Sequence, residues 1–292
     1  MPTAGYGALI PDFFQYFSRI PHYSFFAGVI YTMDFNTEKN RVLGEMITHL
    51  IAKTDLTRDE SFSAFQMILN NEVSEMQQGA FLAALTAKGE NAAEVAGGWQ
   101  AVYDLDTEKV TLDDLEVVDN CGTGMDSFKT FNISTAAALV GAAGGVHIAR
   151  HGARAITSAR GTVDMAESLG VDMECDVKTV AGSIRKCGIG LFNGMSPRVH
   201  PMALGRILSQ ICFGSPLNIA ASLANPAMPK IAVRGVYSPF SSDRLPRSWT
   251  RSVTGMPLLF MGLSRSTTRG WTKLLSAEQP KESTFPMVLL RN

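Results

Sequence analysis

The segment Asp119 to Thr135, DNCGTGMDSFKTFNIST, holds the residues whose types and spacing point most directly to chemistry. A short apolar run, LEVVD, leads straight into it. Gly122 and Gly124 allow a tight turn with exposed backbone N–H groups, and the pattern predicts a helix starting near Ser134. Amides at such a turn, together with the positive end of a helix, make an anion site. Thr123, Thr130, Asn132, Ser134 and Thr135 add hydroxyl and amide donors, and Asp126 could position a ligand or an ion. The cluster suits a phosphate or pyrophosphate group. Any tight turn uses glycine, however, so on these residues alone an anion site and a plain turn both fit.

A second candidate is RHGARAITSARGTVD, from Arg150 to Asp164. Arg150 and Arg154 flank the Gly152 turn, and two guanidinium forks there suit a bidentate phosphate contact. Each could equally be an ordinary surface charge. His151 ends an apolar run, where a site residue and a satisfied structural histidine are both reasonable. A third run, GIGLF, precedes Asn193 and Gly194, and His200 and Arg206 follow in MSPRVHPMALGRIL.

These loops need elements to position them. Val42, Leu43, Met46, Ile47, Leu50 and Ile51 form a helical stripe. Thr57 with Glu60, and Ser74 with Gln77, have the spacing of capping boxes. Gly89 sits where a helix would end, and Glu94 to Tyr103 reads as a fourth helix. Residues 33–110 therefore read as a helical domain. From Leu115 the text alternates strand-like runs (LEVVD, VHIAR, GIGLF) with helix-like stretches (Thr135 to Gly145, Val163 to Gly170). The expected fold is α/β: an N-terminal helical domain plus an α/β domain with a mainly parallel sheet, residues 111–239. All three candidate loops then lie at the C-terminal ends of strands, where ligands collect in such sheets.

Composition narrows the partners. The net charge is -1, which implies no general attraction to nucleic acid or to an anionic membrane surface. No apolar run is long enough to cross a bilayer. Four widely spaced cysteines and five scattered histidines form no metal pattern, and reduced thiols fit a cytoplasmic protein. Residues 1–32 show no clean period and lack the features of a signal peptide, and at Met33 the text changes character. They read as an atypical extension, with Met33 the expected start.

The loop resembles the anthranilate phosphoribosyltransferase family, whose Gly-Thr-Gly-Gly-Asp turn precedes Thr-Phe-Asn-Ile-Ser-Thr. Gly122, Thr123, Gly124, Asp126, Thr130, Phe131, Asn132, Ile133, Ser134 and Thr135 match, and Met125 replaces the second glycine of the pair. The resemblance implies binding of phosphoribosyl pyrophosphate, with Mg2+ as cofactor and Ser134 as a magnesium ligand. Arg150, His151, Gly152 and Arg154 match the family's Lys-His-Gly-Asn-Arg in type; Ala153 stands for an asparagine used near the acceptor, and Thr162 for a serine that helps hold phosphate. Asn218, Leu223, Asn225 and Pro226 continue the likeness. His200 and Arg206 are the nearest counterparts of the family's acceptor-contacting histidines and arginine, but the spacing differs by one residue. The implied reaction is ribosyl transfer to a small aromatic amine such as anthranilate, in tryptophan biosynthesis, and the implied assembly is a homodimer. Ala153 and the changed acceptor segment leave open a related glycosyltransferase or nucleoside phosphorylase with another acceptor. An inactive remnant that binds phosphate ligands is the third reading.

The likeness runs from about Met33 to Pro239. Beyond it, SSDRLPRSWTRSVTG has no period. Read two bases later in each codon, LFMGL (Leu259 to Leu263) can encode the family's Val-His-Gly. With the same offset, RGWTK (Arg269 to Lys273) can encode its Met-Asp-Glu. A frameshift soon after Pro239 is therefore expected. Residues 240–292 would then be an out-of-frame tail, the sheet would be incomplete at its C-terminal side, and the carboxylates of a second magnesium site would be lost. Glu278 and Glu282 lie in that tail with nothing to place them in the site. Poor stability and little activity would follow.

Overall fold

The computed structural model describes residues 36–124, 132–155, 161–236, 258–263 and 272–276. The proposed extension 1–32 and most of the stretch after Pro239 lie outside these residues, as do the site candidates Asp126 and Thr130 and the substituted Met125.

Four helices come first among the described residues. Helix α1 (Thr37–Ile51) starts at Asn36, whose side chain accepts from Lys39 N, and it buries Leu43, Ile47 and Leu50. Helix α2 (Arg58–Leu69) has the Thr57–Glu60 capping box formed in both directions. At α3 (Glu75–Lys88) only half of the expected box forms. Ser74 accepts from Gln77 N, but the buried Gln77 Oε1 has no hydrogen-bond partner among the described residues. Gly89 ends α3 at φ 86°. Helix α4 (Ala92–Leu105) begins with a full box between Asn91 and Glu94 that the apolar pattern did not reveal. The buried Glu94 carboxylate also accepts from Leu56 N at Oε1 and from Lys88 Nζ at Oε2, so both oxygens are hydrogen-bonded and the charge is paired with Lys88.

The sheet follows. Strands β1 (Val117–Asp119), β2 (His147–Gly152) and β3 (Ile189–Asn193) alternate with helices α5 (Ile133–Ala143), α6 (Thr162–Ser168) and α7 (Val177–Cys187). Helix α7 was not read from the sequence. It is amphipathic, burying Val177, Val180, Ala181 and Ile184 in a core shared with Val117, Ala149 and Phe192. After β3 come two short helices, α8 (Leu204–Gln210) and α9 (Pro216–Leu223), then β4 (Ile231–Val236). Strands β5 (Leu258–Leu263) and β6 (Thr272–Ser276) carry the sheet past Pro239. The order is β3-β2-β1-β4-β5-β6, parallel throughout except for antiparallel β6.

Helices α8 and α9 lie in the second stretch of the chain but pack in the bundle. Leu204, Ile207, Leu208, Leu217 and Ile219 join the core built by Leu43, Phe65, Phe81 and Trp99. Trp99 Nε1 donates to Leu223 O at 3.1 Å, fastening α4 to α9. No helix among the described residues is long and apolar enough to cross a membrane.

Candidate functional site

Strand β1 lies where the winding of the sheet reverses. The chain moves outward from β1 to β2 and β3 on one side, and through β4 to β5 on the other. In open parallel sheets the crevice beyond the strand ends at such a reversal is where ligands sit. Residues 120–124 occupy that place.

The loop is tied down by its own side chains. Asp119 Oδ1 accepts from Cys121 N at 2.9 Å and turns the chain out of β1. Asn120 Nδ2 donates to Ser134 O at 2.6 Å, holding the loop to the first turn of α5. Gly124 adopts φ +64°, a left-handed conformation that glycine reaches without strain. At the start of α5, Asn132 caps the helix by position only: its side chain makes no cap bond, and Nδ2 donates instead to Gly161 O. The first turn of α5 holds no acidic residue, so the positive helix end has no carboxylate of its own there. Thr135 is buried beside it, and its hydroxyl has no hydrogen-bond partner among the described residues. A polar atom buried in this way costs stability unless something completes it.

The two arginines, both candidates for phosphate contacts, are engaged by neighbouring protein groups. Arg150 is only 5% exposed. Its Nη1 donates to Asn120 O (2.9 Å) and Oδ1 (2.7 Å), and its Nη2 to Thr162 Oγ1 (3.0 Å). It therefore braces the loop at Asn120 and links it to the start of α6. Arg154 is claimed by carboxylates: it pairs with Glu167 through both terminal nitrogens, with Glu174 at 3.3 Å and with Asp164 at 3.5 Å. These acids, with the Glu167 hydrogen bonds foremost, hold the guanidinium firmly charged. Burial works against ionised Asp164, but the amides of Gly161 and Ala155 and the Arg154 charge prevail and keep its pKa below the usual carboxylate value.

The remaining candidates divide. Gly152 ends β2 beside Asn193 of β3, and a Cβ there would lie 3.1 Å from Thr162 Cβ, so glycine permits the close packing of α6. His151 and His200 come together, with their Nε2 atoms 3.1 Å apart and both rings buried. Arg206 does not join them. It turns toward α3, where both terminal nitrogens reach Gln78 Oε1 (3.3 Å) and Nη1 lies 3.5 Å from Glu75. The structure thus gathers Gly122, Thr123, Gly124, Asn132, Ser134, Thr135, Arg150 and Thr162 around one loop and helix end. His151 and Gly152 lie at the neighbouring strand end, and Arg206 is absent from both groups. Asn120 was not singled out from the sequence, although an amide side chain directly after a strand end was a usable signal.

The donor set limits any metal. Among the described residues no group of three or more His, Cys, Asp or Glu could hold one, and Ser134 offers a single hydroxyl. Magnesium takes a near-octahedral oxygen shell that substrate phosphates commonly help to fill. The described residues alone do not enclose a magnesium ion; Ser134 offers one oxygen, and other ligands, such as those of a bound phosphate donor, would have to supply the rest.

Comparison with known proteins gives this geometry its context. Residues 44–105 match the model described as "Glycosyl transferase family, helical bundle domain", and residues 114–277 match "Glycosyl transferase family, a/b domain". The second match crosses part of the stretch read as an out-of-frame tail. The chain is 39% identical over 220 residues to the anthranilate phosphoribosyltransferase of Chloroflexus aurantiacus, covering 75% of this chain and 64% of that protein. It is 38% identical over 197 residues to the enzyme of that name from Methanothermobacter thermautotrophicus, covering 66% and 55%. It thus spans less than two thirds of the length of these relatives. The crystal structure of anthranilate phosphoribosyltransferase from Thermus thermophilus superposes with a TM-score of 0.65 at 28% identity, covering 79% of this chain and 72% of that one. The Saccharomyces cerevisiae enzyme, solved in complex with PRPP and Mg, shares the fold with a TM-score of 0.65 at 23% identity, covering 75% and 65%. With both domain models matched in order, the chain belongs to the glycosyl transferase family built from this helical bundle and a/b domain, among whose members are the anthranilate phosphoribosyltransferases.

Proposed function

We propose that this chain is a cytoplasmic phosphoribosyltransferase that takes phosphoribosyl pyrophosphate as donor and a small aromatic amine, such as anthranilate, as acceptor, and that it acts as a homodimer. One observation carries the reading: a braced, glycine-containing loop and a helix end without a side-chain cap meet at the reversal point of a parallel sheet. A pyrophosphate placed there would accept hydrogen bonds from backbone amides of Gly122 to Gly124 and from the first turn of α5, with Thr135 Oγ1 within the same cluster. Asp126 and Thr130, matched by resemblance, would complete the loop.

In the transfer, the amine nitrogen bonds to the anomeric carbon as the bond to the pyrophosphate oxygen breaks. Positive charge grows on the sugar and negative charge on the leaving group. The protein's part is to hold both partners in line and to meet the leaving charge with fixed dipoles. Magnesium would supply further charge neutralisation when it arrives on the donor, with Ser134 as a ligand. Arg150 acts by keeping Asn120, and hence the loop, in place. The His151–His200 pair at the end of β2 offers the wall for the acceptor.

A second reading is favoured by Arg206, whose guanidinium faces Gln78 and Glu75 rather than the strand ends. The acceptor would then be something other than anthranilate, as in a related glycosyltransferase or nucleoside phosphorylase. Calorimetric titration with phosphoribosyl pyrophosphate, followed by turnover assays with anthranilate, other aromatic amines and nucleobases, separates the readings. Failure to bind the donor would overturn the proposal. Binding without turnover of any acceptor would leave a phosphate-binding remnant.

A further inference from the structure

We propose that His200 is a positioning residue that fixes the tautomer of His151, and that it takes its own orientation from Asp106 at the end of the helical bundle. The inference rests on the reading that the acceptor lies against the end of β2.

The argument runs through donors and acceptors. His200 Nδ1 lies 2.5 Å from Asp106 O. A carbonyl oxygen only accepts, so Nδ1 must carry the proton. The ring is buried, and removal from water pushes its pKa below the ordinary histidine value although Asp106 opposes that shift. The neutral ring therefore has a bare Nε2, which can only accept. His151 Nε2, 3.1 Å away, must then be the donor. In its neutral form His151 is thereby set as the Nε2–H tautomer, with Nδ1 an acceptor.

The anchor is built into the join between the two domains. Asp106 follows the last residue of α4, and its fully buried carboxylate accepts from Met202 N, Ala203 N and Leu204 N at 2.5, 3.0 and 2.7 Å. One residue thus holds both the His200 ring and the chain just beyond it. Thr107 Oγ1 also lies 3.3 Å from His200 Nδ1. On the other side, Gly194 leaves room for the pair, since a Cβ there would fall 2.8 Å from His151 Nε2. A shift of the bundle against the sheet would move Asp106 O, and with it the hydrogen bond that orients His151.

The test compares His200→Gln, whose amide oxygen can accept from His151, with His200→Phe, which cannot. Nitrogen-15 imidazole spectra of the full chain should show His151 as Nε2–H in the parent and in His200→Gln, and a changed or mixed tautomer in His200→Phe. A His151 that is Nδ1–H in the parent, or unchanged in His200→Phe, overturns the proposal. If His200→Phe does not fold, the parent spectrum and His200→Gln still decide it. In turnover, His200→Phe should raise the acceptor KM by about tenfold with the donor KM unmoved, and His200→Gln should recover most of that loss. Correct tautomers with no effect on acceptor KM would uphold the positioning role and sink the acceptor assignment instead.

Discussion

Replacing Arg150 tests whether the loop is braced as described. Among the described residues, Arg150→Met removes three hydrogen bonds from a cation: two to Asn120 and one to Thr162. Bonds to charged groups contribute roughly 1.5–3 kcal/mol each, which sets an upper bound. The methionine avoids the cost of desolvating a guanidinium, which amounts to several kcal/mol. It also leaves the Asn120 and Thr162 oxygens without their donor. The net expectation is a loss of about 3 kcal/mol in stability, roughly a hundredfold in the unfolding constant. Arg150→Lys should lose less, about 2 kcal/mol, because one ammonium can serve one or two of the three acceptors. Urea denaturation of parent and variants measures both losses. Titration with inorganic pyrophosphate should show a Kd raised about tenfold in Arg150→Met, since a loosened loop must be ordered on binding. If Arg150→Met unfolds at the parental urea concentration and binds pyrophosphate as the parent does, the brace is an idle contact and the site argument loses its support.

Four further outcomes are expected. Thr135→Val removes a buried hydroxyl without a partner among the described residues, so the unliganded chain should gain about 1 kcal/mol while its pyrophosphate affinity falls, both measurable in the same denaturation and titration series. Gly97→Ala would place a Cβ 2.3 Å from Arg58 O where α4 crosses α2, and thermal unfolding should report a loss of about 3 kcal/mol or more. The lowered pKa of His200 gives stability a defined pH slope. Its contribution is full above the unfolded value of 6.5 and declines as pH falls below it, by at most about 1.4 kcal/mol per unit, until the folded ring itself titrates. Urea midpoints between pH 7.5 and 5 should therefore drop less in His200→Gln than in the parent. Resequencing the coding region after Pro239 should reveal the shifted frame, and an intact present frame in closely related genes would refute it.

Local signals were the legible ones. The Thr57–Glu60 box and the Gly89 stop depend on residues within one turn, so sequence spacing suffices to read them. The turn after β1 and the start of α5 were legible for the same reason, since both lie within a few residues of the strand end. Side-chain direction was not. Glu167 and Glu174 lie 13 and 20 residues from Arg154, and nothing in the spacing says that they converge on its guanidinium. Arg206 sits on a short helix whose face is chosen by packing against α3, 128 residues earlier than its own position, and no local pattern encodes that. Helices α8 and α9 are illegible for different reasons: α8 has only seven residues, too few for its buried face to show a period, and α9 is buried on nearly every side, so it has no polar face to alternate with an apolar one.

During synthesis helices α1 to α4 leave the ribosome well before the two that complete their core. Trp99 must wait for a carbonyl 124 residues later, and Phe65 and Phe81 lie in a cluster that Leu204 and Leu217 help to close. Strands β1 to β3 emerge in between. The part of the protein that begins first is thus finished late, and its nascent form exposes apolar surface until α9 is made. Such long-range closure slows folding and favours association of unfinished chains. The bundle is a knot of timing as much as of packing: the sheet's first half has to be in hand before the first domain can be sealed.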